Sequence, residues 1–166
     1  MKAAAARVAA FLGVFTAQQL AWQALRGSFV ERFVIDDATV RPAALLIDVL
    51  TPSVHVTAVG AALSAPGGGL SILNGCEGLE ALFLLTAAFA IAPLPTRLRW
   101  RGLLIGVPVV FFTNQLRILA LFYAYRANTH LFEPLHGTVT PIAVVLVVSM
   151  YFYAWLRRAR PITAPA

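Results

Sequence analysis

The sequence contains few charged residues and only one cysteine. Charged residues make up 12% of its 166 residues, about half the share of a soluble domain, whereas 60% are hydrophobic. Cys76 is the only cysteine, which excludes an internal disulfide. The mean hydropathy of +0.79 indicates an integral membrane protein. At about 20 residues per membrane-crossing helix, the chain has room for about four spans in a single domain, 1–166.

The net charge of +6 does not indicate nucleic-acid binding. The arginines fall in short clusters beside apolar runs, not in a basic patch with interleaved aromatic residues. Such clusters are typical of the positive-inside bias of membrane proteins. We therefore expect a lipid bilayer, and no nucleic acid, among the partners.

Four apolar stretches predict a polytopic, mainly α helical bundle. They lie near residues 5–25, 77–93, 102–126 and 137–156, and residues 26–76 form an external segment between the first two. The first stretch has the basic start and short core of a signal sequence. Because no clear cleavage site follows it, we interpret it as a retained span.

Two arginine clusters predict the orientation of the spans. Arg97, Arg99 and Arg101 lie in the loop after the second span, and Arg157, Arg158 and Arg160 follow the fourth. Both clusters are expected in the cytoplasm. The second and fourth spans then begin at the outer face, and both termini lie inside.

The external segment predicts a short helix and a β-hairpin. The elements expected in order are a helix over Ala43–Leu50, a strand over Val54–Leu63, a turn over Pro66–Gly69 and a strand over Leu70–Leu73. The alternative is a further membrane helix over Ala43–Leu63. An aspartate, a proline and a histidine within that range disfavour it.

Three residues are expected to meet at the outer face of the bundle. Cys76 and His136 each stand at the outer start of a span. Arg117 lies within the third span, roughly 13 Å below its outer end. An ionised arginine inside a span is costly and normally faces the bundle interior or a wet cavity. The side chain of Arg117 can extend toward the outer face, where it would reach the other two residues.

This set of residues favours acyl transfer by a thiol. His136 would accept the proton of the Cys76 thiol and later donate it to the leaving amine. Arg117 is permanently charged and would stabilise the oxyanion of a tetrahedral intermediate. Because Cys76 stands at a helix start, the helix dipole would support its thiolate.

Three polar neighbours are expected to modify this site. Asn114, one turn before Arg117, is expected to orient the guanidinium or to cap the backbone. Glu77 and Glu80 raise the pKa of a nearby thiol, and they are alternatively expected to steer a cationic acceptor or to hold Arg117.

At this point the motifs resemble a known family. The run Asn-Gly-Cys-Glu-Gly-Leu-Glu over 74–80, the run Asn-Gln-Leu-Arg-Ile over 114–118 and His136 resemble the exosortase/archaeosortase family, most closely the exosortase H subtype. The resemblance extends from about Pro42 to Trp155. It implies a multi-pass cysteine peptidase and transpeptidase of the bacterial inner membrane, in which Cys76, Arg117 and His136 are catalytic at the external side.

The resemblance also implies the partners. These are exported proteins that carry a carboxy-terminal sorting signal, which consists of a short recognition motif, a membrane span and a basic tail. We expect no cofactor and no metal.

Two alternatives remain open. In the first, His130, Glu133 and His136 bind a metal ion together with Cys76 and Glu80. No second cysteine and no HExxH motif supports zinc, and Pro134 interrupts the regular spacing. In the second, the protein is a structural or transporter-like bundle in which the cysteine is inert.

Overall fold

A computed structural model describes residues 2–72 and 75–159 of the chain. Asn74, which opens the cysteine motif, and Arg160, which ends the second arginine cluster, lie outside the described residues. Helices dominate the described residues, which confirms the predicted mainly α fold.

The helices have the following bounds in chain order: α1 Lys2–Ala24, α2 Phe29–Arg32, α3 Arg41–Leu50, α4 Leu79–Ile91, α5 Thr96–Ala127, α6 Thr129–Pro134 and α7 Thr140–Ala159. Two π-helical segments, Phe33–Val40 and Leu135–Val139, connect α2 to α3 and α6 to α7. A 3₁₀ turn covers Pro52–Val54, and the strands are β1 Thr57–Val59, β2 Ala62–Ser64 and β3 Leu70–Ser71.

Three helical stretches in the described residues are long and apolar enough to cross a membrane, namely Ala4–Ala24, Thr96–Ala127 and Thr129–Ala159. The fourth apolar helix, α4, has only 13 residues. It rises about 20 Å, whereas the hydrocarbon core of a bilayer is about 30 Å thick. The polytopic helical fold is confirmed, but α4 is shorter than a full span.

Two connections between the predicted spans are largely helical. Arg97, Arg99 and Arg101, expected in a loop, lie in the first two turns of α5, because the helix begins directly after Pro95. The Arg99 guanidinium donates a 3.0 Å hydrogen bond to the carbonyl of Ala92 and closes the short connection from α4. The polar stretch before His136 is helical from Thr129.

The external segment forms α3 and a three-stranded sheet, in which β2 and β3 form the predicted hairpin around Pro66–Gly69. The expected strand over Val54–Leu63 is divided into β1 and β2, which pair antiparallel across a two-residue turn. Gly60 begins this turn with φ +53°, a conformation that glycine adopts without strain. Because α3 ends at Leu50, the alternative membrane helix over Ala43–Leu63 does not form.

The turn before β3 also depends on a glycine. A Cβ atom added to Gly69 would lie 2.3 Å from the carbonyl oxygen of Leu63, so the two backbones approach too closely for any side chain. The Arg126 guanidinium of α5 donates a 2.9 Å hydrogen bond to the carbonyl of Pro66 and fixes the turn against the bundle. β3 pairs antiparallel with β2.

Two apolar cores hold the molecule together. One joins α3, the sheet and the C-terminal half of α5, with Ile47, Leu63 and Phe122 fully buried. The other joins α4, α5 and α7 around Leu85 and Phe89. The segment that carries Cys76 lies between them, because its thiol packs on the first core and α4 belongs to the second.

Candidate active site

The thiol is carried by a glycine-bounded turn just before α4. Gly75 and Gly78, on either side of Cys76 and Glu77, have φ values of +96° and +83°. A Cβ atom added to Gly78 would lie 2.7 Å from Cγ of Asn114. The glycines therefore let the turn pass closely over α5.

His136 is in direct contact with the thiol. Its Nε2 atom lies 3.0 Å from Sγ of Cys76. The π-helical segment Leu135–Val139 positions the imidazole, and the ring stacks on Phe132 with 5.1 Å between centroids. The pair has the geometry needed for proton transfer between a thiol and an imidazole.

Arg117 reaches the same sulfur from α5. Its Nη2 atom lies 3.8 Å from Sγ of Cys76, and Nη1 donates a 3.3 Å hydrogen bond to the carbonyl of Gly75. Nε donates to the hydroxyl of Thr140 at 3.1 Å. The three predicted residues therefore meet around one sulfur atom, with each edge of the guanidinium in contact with a partner.

The two residues expected to support the site lie in different environments, since Asn114 is buried and Glu80 is exposed. Asn114 is only 2% exposed, and its Nδ2 atom donates a 3.0 Å hydrogen bond to the carbonyl of Cys76. It thus binds the backbone of the thiol-bearing turn, which is closer to the expected backbone cap than to the expected contact with the guanidinium. Glu80 is exposed on the first turn of α4, and no ion pair joins it or Glu77 to Arg117 within the described residues.

Burial controls the acidity of the thiol. Burial raises the pKa of Cys76 above its ordinary value, the Arg117 guanidinium lowers it, and the carboxylates of Glu77 and Glu80 raise it further. The net pKa is raised, so the thiol is protonated at neutral pH. The helix-start effect expected from the sequence is weak here, because α4 begins only at Leu79. A base beside the sulfur is therefore needed for nucleophilic attack.

The family assignment rests on a sequence match that covers most of the chain. The model of the transmembrane exosortase family (Exosortase_EpsH) matches residues 28–155. The chain belongs to the transmembrane exosortase family. This confirms the resemblance noted from the motifs and identifies the chain as a membrane protein. No curated protein and no solved structure matches the chain significantly.

A groove in this exosortase leads away from the site between α4 and α7. A cavity of about 120 Å³ is bordered by Arg117 and Glu80 at one end and by Leu84 and Val145 at the other. A second cavity of about 160 Å³ shares Leu84 and Val145 and continues to Phe152. From Pro141 to Phe152, the two cavities extend about 16 Å along α7. The groove is mostly apolar, and its charged lining residues, Arg117 and Glu80, lie where it meets the site.

Two hydrogen-bonded residues of the exosortase were not found from the sequence. Thr140 binds Arg117. The sequence pattern that could have identified it is a hydroxyl one turn after His136 in a mostly apolar run. Trp22 of α1 binds the buried carboxylate of Glu77, whose Oε2 atom accepts the N–H of Gly75. This second contact had no local signal, because 55 residues separate the two side chains.

The residues of the metal alternative do not converge. Within residues 2–72 and 75–159, no group of three or more histidine, cysteine, aspartate or glutamate side chains is placed to hold a metal ion. His130 and Glu133 are exposed on α6, whereas His136 contacts Cys76.

Proposed function

We propose that this exosortase is a cysteine peptidase and transpeptidase that cleaves exported proteins at a carboxy-terminal sorting signal through a thioester at Cys76. The observation that carries the proposal is the pair of contacts at one sulfur, 3.0 Å to the His136 imidazole and 3.8 Å to the Arg117 guanidinium. A half-buried thiol with an adjacent base and a permanent cation has the groups that acyl transfer requires.

The first half of the reaction forms the thioester. Nε2 of neutral His136 takes the thiol proton while Sγ of Cys76 attacks the carbonyl carbon of the scissile peptide and forms the S–C bond. The carbonyl oxygen becomes an oxyanion beside the Arg117 guanidinium. When the C–N bond breaks, His136 returns its proton to the leaving amine.

The second half releases the product. An acceptor amine or water gives a proton to His136 and attacks the thioester carbon, and the S–C bond then breaks. The sulfur leaves as a thiolate and regains its proton from His136, so the enzyme returns to its starting state. The acceptor decides between transpeptidation and hydrolysis.

The arginine clusters support an external site in the bacterial inner membrane. Arg97 at the start of α5 and Arg157 at the end of α7 lie at the same end of the bundle, where the Tyr151 hydroxyl donates to the carbonyl of Gly102. The positive-inside rule assigns that end to the cytoplasm. Cys76 and His136 lie at the opposite ends of α4 and α7, which would face the periplasm.

The groove between α4 and α7 supports lateral entry of the sorting signal. Its apolar part would hold the membrane span of the substrate, and its polar end would place the recognition motif beside Arg117. A substrate that enters from the bilayer is already confined near the thiol, and such proximity supplies part of the catalysis.

The experiment combines substrate processing with labelling of the single thiol. An exported protein with a carboxy-terminal sorting signal is co-expressed with the wild type, Cys76→Ser or Arg117→Lys. We expect a hydroxylamine-sensitive thioester between substrate and enzyme only when residue 76 carries a thiol. For Arg117→Lys we expect the processing rate to fall by about 10²- to 10³-fold, because the lysine ammonium lacks the planar set of donors of the guanidinium. Arg126→Lys, on the same helix but bound to the sheet turn, is the matched control.

An impermeant thiol reagent applied to intact cells tests the location. It should label wild-type protein from the outside and leave Cys76→Ser unlabelled. Full processing by Cys76→Ser, or labelling only after the cells are lysed, would contradict the proposal.

A further inference from the structure

One buried hydroxyl, that of Thr140, connects Arg117 to the turn that carries His136. The hydroxyl of Thr140 accepts the 3.1 Å hydrogen bond from Nε of Arg117 and donates a 2.9 Å hydrogen bond to the carbonyl of Leu135. Thr140 is 8% exposed and begins α7. Its single proton and one of its lone pairs are therefore both used inside the protein.

The Leu135 carbonyl belongs to the peptide that leads into His136. It also accepts the backbone N–H of Thr140, which closes the π-helical turn Leu135–Val139. A π-helical turn is wider and rarer than an α turn and is often found at functional sites. The hydroxyl and the amide of one residue thus bind the same carbonyl and fix the turn that carries the imidazole.

The guanidinium depends on the same hydroxyl for its orientation. Nε is held by Thr140 and Nη1 by the Gly75 carbonyl, and these two contacts direct Nη2 toward the sulfur. Because the guanidinium is planar, fixing two of its edges fixes the third. Loss of the Nε partner would leave one contact and allow the plane to rotate.

We propose that Thr140 is a positioning residue of the thiol site, whose hydroxyl keeps the Arg117 guanidinium and the His136-bearing turn in one fixed arrangement around Cys76. The effect of this positioning on catalysis rests on the proposed function. Among the described residues, the hydroxyl of Thr140 bonds to Arg117 and Leu135 and not to the sulfur.

The alternative is that the hydroxyl only binds a helix carbonyl. Threonine often does so, and Thr113 of α5 provides the example in this chain, since its hydroxyl donates a 2.7 Å hydrogen bond to the Val109 carbonyl. The hydroxyl of Thr113 is not hydrogen-bonded to Arg117. Thr113→Val is therefore the matched control for Thr140→Val, since both replace a hydroxyl by a methyl of similar size.

The first measurement is the pH profile of alkylation of Cys76, the only thiol of the chain, in full-length protein in detergent. Because Arg117 lowers the pKa of the thiol, we expect the profile of Thr140→Val to move to higher pH, while Thr140→Ser and Thr113→Val follow the wild type. An unmoved profile in Thr140→Val, or an equal shift in Thr113→Val or Thr140→Ser, would overturn the proposal.

The second measurement separates kcat from KM for processing of a sorting-signal substrate. We expect kcat of Thr140→Val to fall about 10- to 100-fold with little change in KM, because a misplaced catalytic group slows chemistry more than binding. Thr140→Ser should recover most of the rate. A change in KM alone would contradict a positioning role.

A comparison in a background that lacks both partners keeps the test decisive if Thr140→Val is poorly folded. Thr140→Ala is then the hydroxyl-free variant, and either change is added to a protein that carries Arg117→Gln and His136→Gln. If the hydroxyl acts through the guanidinium and the His136-bearing turn, it should not move the alkylation profile further in that background. An additional shift there would overturn the proposal. Since alkylation needs no substrate, this result stands apart from whether the proposed function holds.

Discussion

The indole N–H of Trp22 donates a 3.1 Å hydrogen bond to the carboxylate of Glu77, and both side chains are buried. Trp22 lies on α1, outside the residues 28–155 that match the exosortase family. The same carboxylate accepts the backbone N–H of Gly75. A helix outside the matched region therefore supports the turn that carries the thiol.

Removal of this indole donor should destabilise the protein. We expect Trp22→Phe to lower the free energy of unfolding by about 1–3 kcal/mol, because a buried charged acceptor loses a hydrogen-bond partner. Denaturant unfolding in detergent measures the change. Trp100→Phe is the matched control, since Trp100 is 63% exposed and has no such role. Equal effects of the two substitutions would contradict the assigned contact.

The pH dependence of thiol alkylation should respond to Glu80. Its negative charge raises the pKa of Cys76, so Glu80→Gln should lower that pKa and increase the thiolate fraction at any pH below it. The alkylation profile should therefore move to lower pH. Glu133→Gln, at an exposed position on α6, serves as the control. A shift in the opposite direction would show that Glu80 does not act through its charge.

The two histidines near the external connection should behave differently. We expect His136→Gln to reduce processing about 10²- to 10⁴-fold, because the thiol loses its base. His130→Gln should retain the wild-type rate, since His130 is exposed and contacts neither Cys76 nor Arg117 in the structure. If both substitutions and a chelator abolish processing, the metal alternative is favoured instead.

The groove gives a test of lateral entry. Ala88 lines it on α4, whereas Ala90 is exposed on the same helix outside it. Ala88→Trp should fill the apolar part and reduce kcat/KM by about 10-fold or more, while Ala90→Trp should not. Both variants should keep wild-type labelling of Cys76. Unchanged processing by Ala88→Trp would argue against this entry path.

The helical fold and the family were predictable because hydropathy and short motifs are local properties of the chain. Runs of apolar residues identify helices without knowledge of their neighbours. Arg117 stood out because an ionised side chain inside an apolar run needs a polar environment, and its order along the chain relative to Cys76 and His136 suggested one common face. The short separations among the three side chains agree with that expectation.

The remaining features depend on contacts that no local pattern encodes. The bond from Trp22 to Glu77 requires α1 and the turn before α4 to pack together. Division of the predicted strand at Gly60 was missed because one glycine between two apolar stretches is compatible with a bulge as well as a turn. The role of Asn114 depends on its close approach to Gly78, which exists only in the folded bundle.

The π-helical segment Leu135–Val139 also determines which side of α7 faces its neighbours. It inserts about one extra residue relative to an α-helix, so every position after it is rotated by about 100°. Val144 and Val148 then point into the interior with α4 and α5, while His136 still faces Cys76. In an unbroken α-helix, the His136 side chain would point about 80° away from Val144 and about 120° away from Val148. The extra residue therefore lets one helix place its valines in an apolar interface and its imidazole beside the thiol.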